Sequence, residues 1–181
     1  MDKSALRKRY RQERALMNPS TIDLNNWRHI LTMPELIAAK YVASYHSYGD
    51  EPRTAELNSA LLEMGKTLLL PRVRTDMNLD WIKWSGDEKA LVKKGNFFEP
   101  KGEAINSNEI EFVIIPTLHV NREGYRLGQG GGSYDRALAD MRAYRLGLIY
   151  TGEITNEEFP NEPHDQKLDA IATPELILRF R

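Results

Sequence analysis

The residues best suited to chemistry lie in Arg126-Leu127-Gly128-Gln129-Gly130-Gly131-Gly132-Ser133-Tyr134-Asp135-Arg136, where four of the chain's 12 glycines occupy five positions. Without Cβ atoms, successive backbone amides can converge on one anion, and a helix starting just beyond them adds roughly half a positive charge at its amino end. Arg126, Asp135 and Arg136 bracket the glycines with the charges that a nucleotide and its metal require. A Walker loop is excluded, because Ser133-Tyr134 follows Gly132 where Lys-Ser/Thr is needed. The dinucleotide fingerprint is incomplete as well, since Ser133 stands where its last glycine or alanine belongs. The bland alternative is a flexible turn between a strand and a helix, and the flanking charges favour a phosphate cradle over it.

Nothing else in the chain suggests covalent catalysis. His29, His46, His119 and His164 are scattered without zinc-ligand spacing, and neither a nucleophile elbow nor a triad is apparent. His164-Asp165 reads from the residues alone as a turn with local hydrogen bonds. Lys3 and Arg7 are four residues apart, so on a helix they share a face and could close on one anion. Phosphate chemistry fits this inventory, because positioning and charge neutralisation carry it without a protein nucleophile.

Composition narrows the class further. A chain of 181 residues is long enough for one buried core and short for two, so a single domain over 1–181 is expected. With 41% apolar and 28% charged residues it is an ordinary globular protein. A net charge of −1 gives no global attraction to nucleic acid or anionic membranes. A nucleic-acid-binding module using the basic N-terminal segment is therefore disfavoured, and no obligate protein partner is inferred. The lack of cysteine excludes disulfides and thiol catalysis. No apolar leader or run of about 18 apolar residues is present, so a cytoplasmic location is expected.

The elements that must position these residues follow from periodicity. Lys3 to Met17 is predicted as a basic amphipathic helix with Leu6, Tyr10, Glu13 and Met17 on one stripe. A second helix is predicted from Ser20 or Thr21 to Pro34, with Ile22, Leu24, Trp27, Ile30 and Leu31 apolar. Strands are predicted at 41–45 and 67–71 around a helix at 54–64, which makes a βαβ unit, and the loop His46 to Pro52 lies at the first strand's carboxyl end. Leu79 to Trp84 alternates as an antiparallel strand, with Phe97-Phe98 expected in a neighbour. Trp81 and Trp84 cannot share a face of that strand. The polar stretch Lys89 to Asn108 reads as a surface excursion, and Phe112 to Pro116, Leu146 to Tyr150 and Ala170 to Thr173 read as further strands. Tyr134, Ala137, Leu138 and Met141 recur at helical spacing after the glycines.

The string Arg126-Leu127-Gly128-x-Gly130-Gly131-Gly132-x-Tyr134-Asp135-Arg136 resembles the signature of the 5-formyltetrahydrofolate cyclo-ligase family. Lys3-x-x-Leu6-Arg7, Asp50-Glu51, Leu70-Pro71-Arg72, Glu99-Pro100 and His164-Asp165 match it in order along nearly the whole chain. The resemblance implies an α/β fold, an open mixed sheet flanked by helices in a three-layer sandwich. It also implies conversion of 5-formyltetrahydrofolate to 5,10-methenyltetrahydrofolate with ATP as co-substrate and Mg2+ as cofactor. Carried over by position, Lys3, Arg7, Arg126 and Gly128, Gln129, Gly130, Gly131, Gly132, Ser133 and Tyr134 match its ATP site, and Asp135 and Asp165 match its magnesium acids. Glu51 and His46 match folate-contact positions. Ser133 replaces a usual aromatic, Gly95 or Asn96 stands where another is common unless Phe97 substitutes, and Gly152-Glu153 replaces a frequent glutamine. A relative that binds nucleotide or folate without turnover is the alternative, and retention of Asp135 and Asp165 weighs against it.

Overall fold

A computed structural model describes residues 2–17 and 27–180. The chain runs α1 (Lys3–Leu16), α2 (Pro34–Ala38), β1 (Tyr41–Ala43), α3 (Ala55–Glu63), β2 (Thr67–Val73), β3 (Leu79–Lys83), β4 (Leu91–Lys94), β5 (Phe97–Pro100) and β6 (Ala104–Ile105). It continues with β7 (Phe112–Pro116), β8 (His119–Asn121), β9 (Arg126–Leu127), α4 (Ser133–Ala139), β10 (Tyr144–Leu148), β11 (Ile154–Thr155), β12 (Ala170–Ala172) and β13 (Ile177–Arg179).

Eight strands form one sheet in the order β13-β12-β10-β7-β1-β2-β3-β6. The central strands β12, β10, β7, β1 and β2 are parallel, and β13, β3 and β6 add antiparallel edges. Parallel strands covered on both faces read as unbroken apolar runs, and the alternation here sorts them. Val42, Leu68, Leu70, Phe112, Ile114 and Leu146 pack with Leu36 of α2 and with Leu57 and Leu61 of α3. Ala43, Leu69, Val113, Ile115 and Ile171 pack on the other side with Ala137 and Leu138 of α4. This is the expected three-layer arrangement with a mixed sheet. Trp81 and Trp84 fall in these opposite clusters, as the strand period requires.

The strand order also fixes where a ligand can enter. From β1 the chain crosses to β2 on one side, whereas β7 lies on β1's other side and leads on to β10. The crevice at the carboxyl ends of β1 and β7 is therefore a topological switch point, where open α/β sheets bind ligands.

The first helix stands apart from this sandwich. Leu6 and Tyr10 of α1 pack on Leu118, Leu127 and Phe159, beside the small sheet β11-β8-β9. Its inward stripe is Leu6, Tyr10 and Arg14, and Glu13 is exposed. Arg14 is buried in place of the expected Glu13 because its guanidinium meets Glu153, 139 residues away in the sequence.

Other expectations need correction too. The stretch Lys89 to Asn108 is structured, since β4 and β5 form an antiparallel hairpin across Gly95-Asn96 and β6 joins the main sheet. Phe97 and Phe98 thus pair with Lys94 and Lys93, and they are not in a neighbour of β3. Of the second predicted helix, Ser20, Thr21, Ile22 and Leu24 lie outside the described residues. Arg28–Thr32 forms a short 3-10 helix whose Ile30 joins the core with Trp27.

Candidate active site

At the switch point the structure opens a cavity of about 230 Å³. Four segments supply much of its wall. The loop after β1 brings His46 and Glu51, the β4–β5 hairpin brings Phe97 and Phe98, α1 brings Lys3 and Arg7, and the glycine loop closes the floor. Every sequence-predicted residue reaches this one cavity: Lys3, Arg7, His46, Glu51, Arg126, Gly128, Gln129, Gly130, Gly131, Gly132, Ser133, Tyr134, Asp135 and Asp165.

Three arginines hold the glycine loop by its carbonyls. Arg7 Nε donates to the Gly128 carbonyl at 3.0 Å, Arg11 Nη2 to that of Gln129 at 2.8 Å, and Arg136 Nη1 to that of Gly131 at 2.7 Å. In a trans peptide the carbonyl and the following N–H point in opposite directions. Tying those carbonyls therefore turns the amides of Gln129, Gly130 and Gly132 away from the three guanidinium groups. Among the described residues these amides donate to no protein acceptor. The glycines are required here for two reasons. Gly130 and Gly132 have φ of 111° and 67°, where a side chain is strained, and a Cβ on Gly128 would sit 2.6 Å from Arg126 Nη1.

Arg126 adds the strongest electrostatic feature. Its side chain is 3% exposed, and its Nη2 lies 3.2 Å from Asp135 Oδ2. That contact is a charge pair without hydrogen-bond alignment, because Nε and Nη2 are both buried with no hydrogen-bond partner among the described residues. A buried guanidinium with donors to spare is costly unless a ligand uses them. The Tyr134 hydroxyl is similarly buried and unpartnered. Its ring meets Trp81 edge-on at 6.1 Å and carries the Arg126 guanidinium over its face at 5.6 Å.

The two acids are preoriented. Asp165 accepts from Lys3 Nζ at 2.6 and 2.7 Å and from the Glu162 amide at 2.7 Å. Burial opposes ionisation, but the ammonium and the amide hold its carboxyl below the usual aspartate range. Asp135 Oδ1 accepts from the Gln166 amide at 3.1 Å, so the acid from α4 and the one from the 162–166 turn face a shared wall. The His164-Asp165 turn expected from the residues is present, closed by Asp165 N donating to the Glu162 carbonyl at 3.0 Å.

Glu51 differs from both acids. It is 8% exposed, and the loop that carries it is braced by Ser47 and Thr54, whose side chains accept from each other's backbone amides at 3.1 and 3.2 Å. Glu51 Oε2 accepts from the Tyr48 amide at 3.1 Å. Burial pushes its carboxyl up to about 7, against that hydrogen bond and the more distant charge of Arg14. His46 lies on the same wall, its Nε2 3.0 Å from Glu88 and its ring against Phe98 at 5.3 Å.

Sequence reasoning missed part of this wall. Tyr45, Tyr48, Phe98 and Glu99 all line the cavity. Phe97 also lines it, which supplies the aromatic absent at Gly95 and Asn96. Glu99 Oε1 accepts from the Val73 amide at 2.9 Å, and its Oε2 lies 3.2 Å from Lys94 Nζ. The adjacent pair Phe97-Phe98 in a polar stretch was the available signal, because exposed paired aromatics usually face something.

Comparison with known proteins points one way. The family model for the 5-formyltetrahydrofolate cyclo-ligase family matches residues 1–174. A Mycolicibacterium smegmatis 5-formyltetrahydrofolate cyclo-ligase is 33% identical over 147 residues, covering 76% of this chain and 75% of the relative. An Escherichia coli K12 protein of the same name is 27% identical over 156 residues, covering 82% and 85%. Among solved structures, the Aquifex aeolicus 5,10-methenyltetrahydrofolate synthetase superposes with a TM-score of 0.84 at 27% identity, over 100% of this chain and 94% of that one.

Proposed function

The chain belongs to the 5-formyltetrahydrofolate cyclo-ligase family, and we propose that this cavity performs the family's ring closure with ATP as co-substrate and magnesium at the phosphates. The activity is formation of 5,10-methenyltetrahydrofolate from 5-formyltetrahydrofolate. The observation that carries the site assignment is the buried Arg126 guanidinium, whose Nε and Nη2 lack hydrogen-bond partners among the described residues, beside loop amides that have no acceptor. A triphosphate satisfies both.

The chemistry asks for charge control more than for a nucleophile. An amide-like formyl oxygen is a poor leaving group, so it is first phosphorylated. Its lone pair forms a bond to the γ-phosphorus while the bridging bond to ADP breaks. N10 then adds to the activated carbon, and phosphate departs with the C–O bonding electrons. Lys3, Arg7, Arg126 and the loop amides hold the triphosphate and spread its charge. Glu51, His46, Phe97 and Phe98 hold the folate on the opposite wall.

Asp135 and Asp165 suit magnesium. Both offer hard carboxylate oxygens on one cavity, each already oriented by a backbone amide. When bound, the ion supplies charge neutralisation at the transferring phosphate. Lys3, beside Asp165 on the same cavity, would hold the phosphates next to that ion. A cytoplasmic location suits a chain without cysteine, and among the described residues no helix is long and apolar enough to cross a membrane.

The test is to mix the protein with 5-formyltetrahydrofolate and Mg-ATP and follow the near-ultraviolet absorbance of the methenyl product. Product formation that stops on chelation with EDTA and returns with added magnesium is expected. Absence of product from active substrate overturns the reading.

A further inference from the structure

The ring closure leaves one proton unaccounted for. N10 enters the reaction as a secondary amine and ends in an amidinium without its hydrogen, so that proton must be removed as the N10–carbon bond forms. Four acids line the cavity: Glu51, Glu99, Asp135 and Asp165. Three have cations on them. Asp165 lies 2.6 Å from Lys3, Asp135 lies 3.2 Å from Arg126, and Glu99 lies 3.2 Å from Lys94. In each of these three the carboxylate is already engaged by a cation in the resting cavity. Glu51 alone has no cation within 4.0 Å among the described residues, and its Oε1 accepts no hydrogen bond there.

Resting on the proposed cyclo-ligase reaction, we infer that Glu51 is the general base that takes the N10 proton. The N10 lone pair forms the new bond to the formyl carbon, the N–H pair stays on N10, and the proton goes to Glu51 Oε1. The tetrahedral adduct then expels phosphate by breaking its C–O bond, and Glu51 returns the proton to water when the product leaves. Tyr45, Tyr48 and Tyr134 are the titratable groups that face Glu51, and Arg14 is the cation whose field reaches it. None of the tyrosines ionises near neutral pH, because burial raises all three. Burial also brings Glu51 to about 7, where a base is half available and still strong enough to act. His46 is the competing candidate, but its Nε2 is engaged by Glu88 and its Nδ1 is sealed from solvent.

The experiment compares wild type, Glu51→Gln, Glu51→Asp and His46→Gln by rapid quench. ADP and methenyl product are counted separately, folate affinity is measured directly, and kcat is followed from pH 5.5 to 8.5. The Gln variant is expected to form ADP in a burst yet to close the ring roughly 10²–10⁴-fold more slowly at saturating folate, a loss far larger than any in folate affinity. In wild type kcat rises with pH through about 7, and this limb disappears in Glu51→Gln and returns in part in Glu51→Asp. Weaker folate binding with unchanged ring closure makes Glu51 a binding group and overturns the inference. So does a limb lost in His46→Gln and kept in Glu51→Gln. Failure of wild type to form any methenyl product defeats the cyclo-ligase reading itself and is recognisable as such.

Discussion

Two glutamates are almost equally hidden in this molecule and differ in the partners that meet them. Glu153 is 4% exposed and takes a two-pronged grip from Arg14, with Nε and Nη2 each 2.6 Å from a carboxylate oxygen. Arg14 Nη2 also donates to the Thr117 carbonyl at 2.7 Å, and the Tyr150 amide donates to Glu153 at 2.8 Å. Glu51 is 8% exposed and has one amide for company. Burial raises both carboxyls, but at Glu153 the Arg14 grip and the Tyr150 amide oppose the rise, whereas at Glu51 only the Tyr48 amide and the more distant charge of Arg14 do. The matched acid fastens α1 to the sheet, and the unmatched one is left able to exchange a proton. Concealment alone therefore says little about what a carboxylate is for.

The sharpest way to break this contrast is Glu153→Ala, which strands a buried guanidinium. A loss of about 3–5 kcal/mol is expected in urea unfolding, and Arg14→Met with Glu153→Met should recover most of it. A single substitution that leaves the urea midpoint unmoved would show that the grip holds nothing.

The opposite sign is expected at Glu51. Its folded carboxyl sits at about 7 against 4.5 when unfolded, so the folded state binds the extra proton between those values. Its contribution to stability is fully present below about 4.5 and is lost as pH rises through about 7. Glu51→Gln should thus be more stable than wild type at pH 8, by on the order of 3 kcal/mol at most, and indistinguishable from it near pH 4. Parallel unfolding curves at the two pH values check this, and an equal difference at both would remove the linkage.

The smallest effect on stability belongs to Lys3, whose side chain is 16% exposed and whose partner Asp165 is 14% exposed. Lys3→Met should cost about 1 kcal/mol or less. The KM for Mg-ATP should nonetheless rise about tenfold, the loss of one phosphate contact. A variant with normal KM for Mg-ATP would return Lys3 to the role of a surface charge.

Much of this arrangement was legible in the chain, but not Arg14. The glycine loop, the runs Leu68-Leu69-Leu70 and Val113-Ile114-Ile115, and the acids Asp135 and Asp165 have local signatures in spacing or composition. All the cavity residues named from those signatures converge in space, although their individual roles await the tests above. Arg14 has no such signature, because it follows Arg7, Arg9 and Arg11 in a basic helix and differs from them only through Glu153, 139 residues away. The β4–β5 hairpin was obscured for a similar reason. Lys93 and Lys94, in a stretch rich in charge, suggest a loop, and their strand character comes from pairing with Phe98 and Phe97.

The reach of α1 has a consequence for the order in which the working protein comes into being. Lys3 and Arg14 find their acids 162 and 139 residues later, so the segments that carry those acids must be synthesised before either contact can close. Until then the first helix has little to dock on, and its apolar Leu6 and Tyr10 wait in the open. Nucleotide affinity should accordingly be among the last properties a nascent chain acquires. A copy ending before Asp165 would lack β12 as well as the Lys3 contact, so the last parallel strand and the wall that α1 supplies to the cavity are gained together.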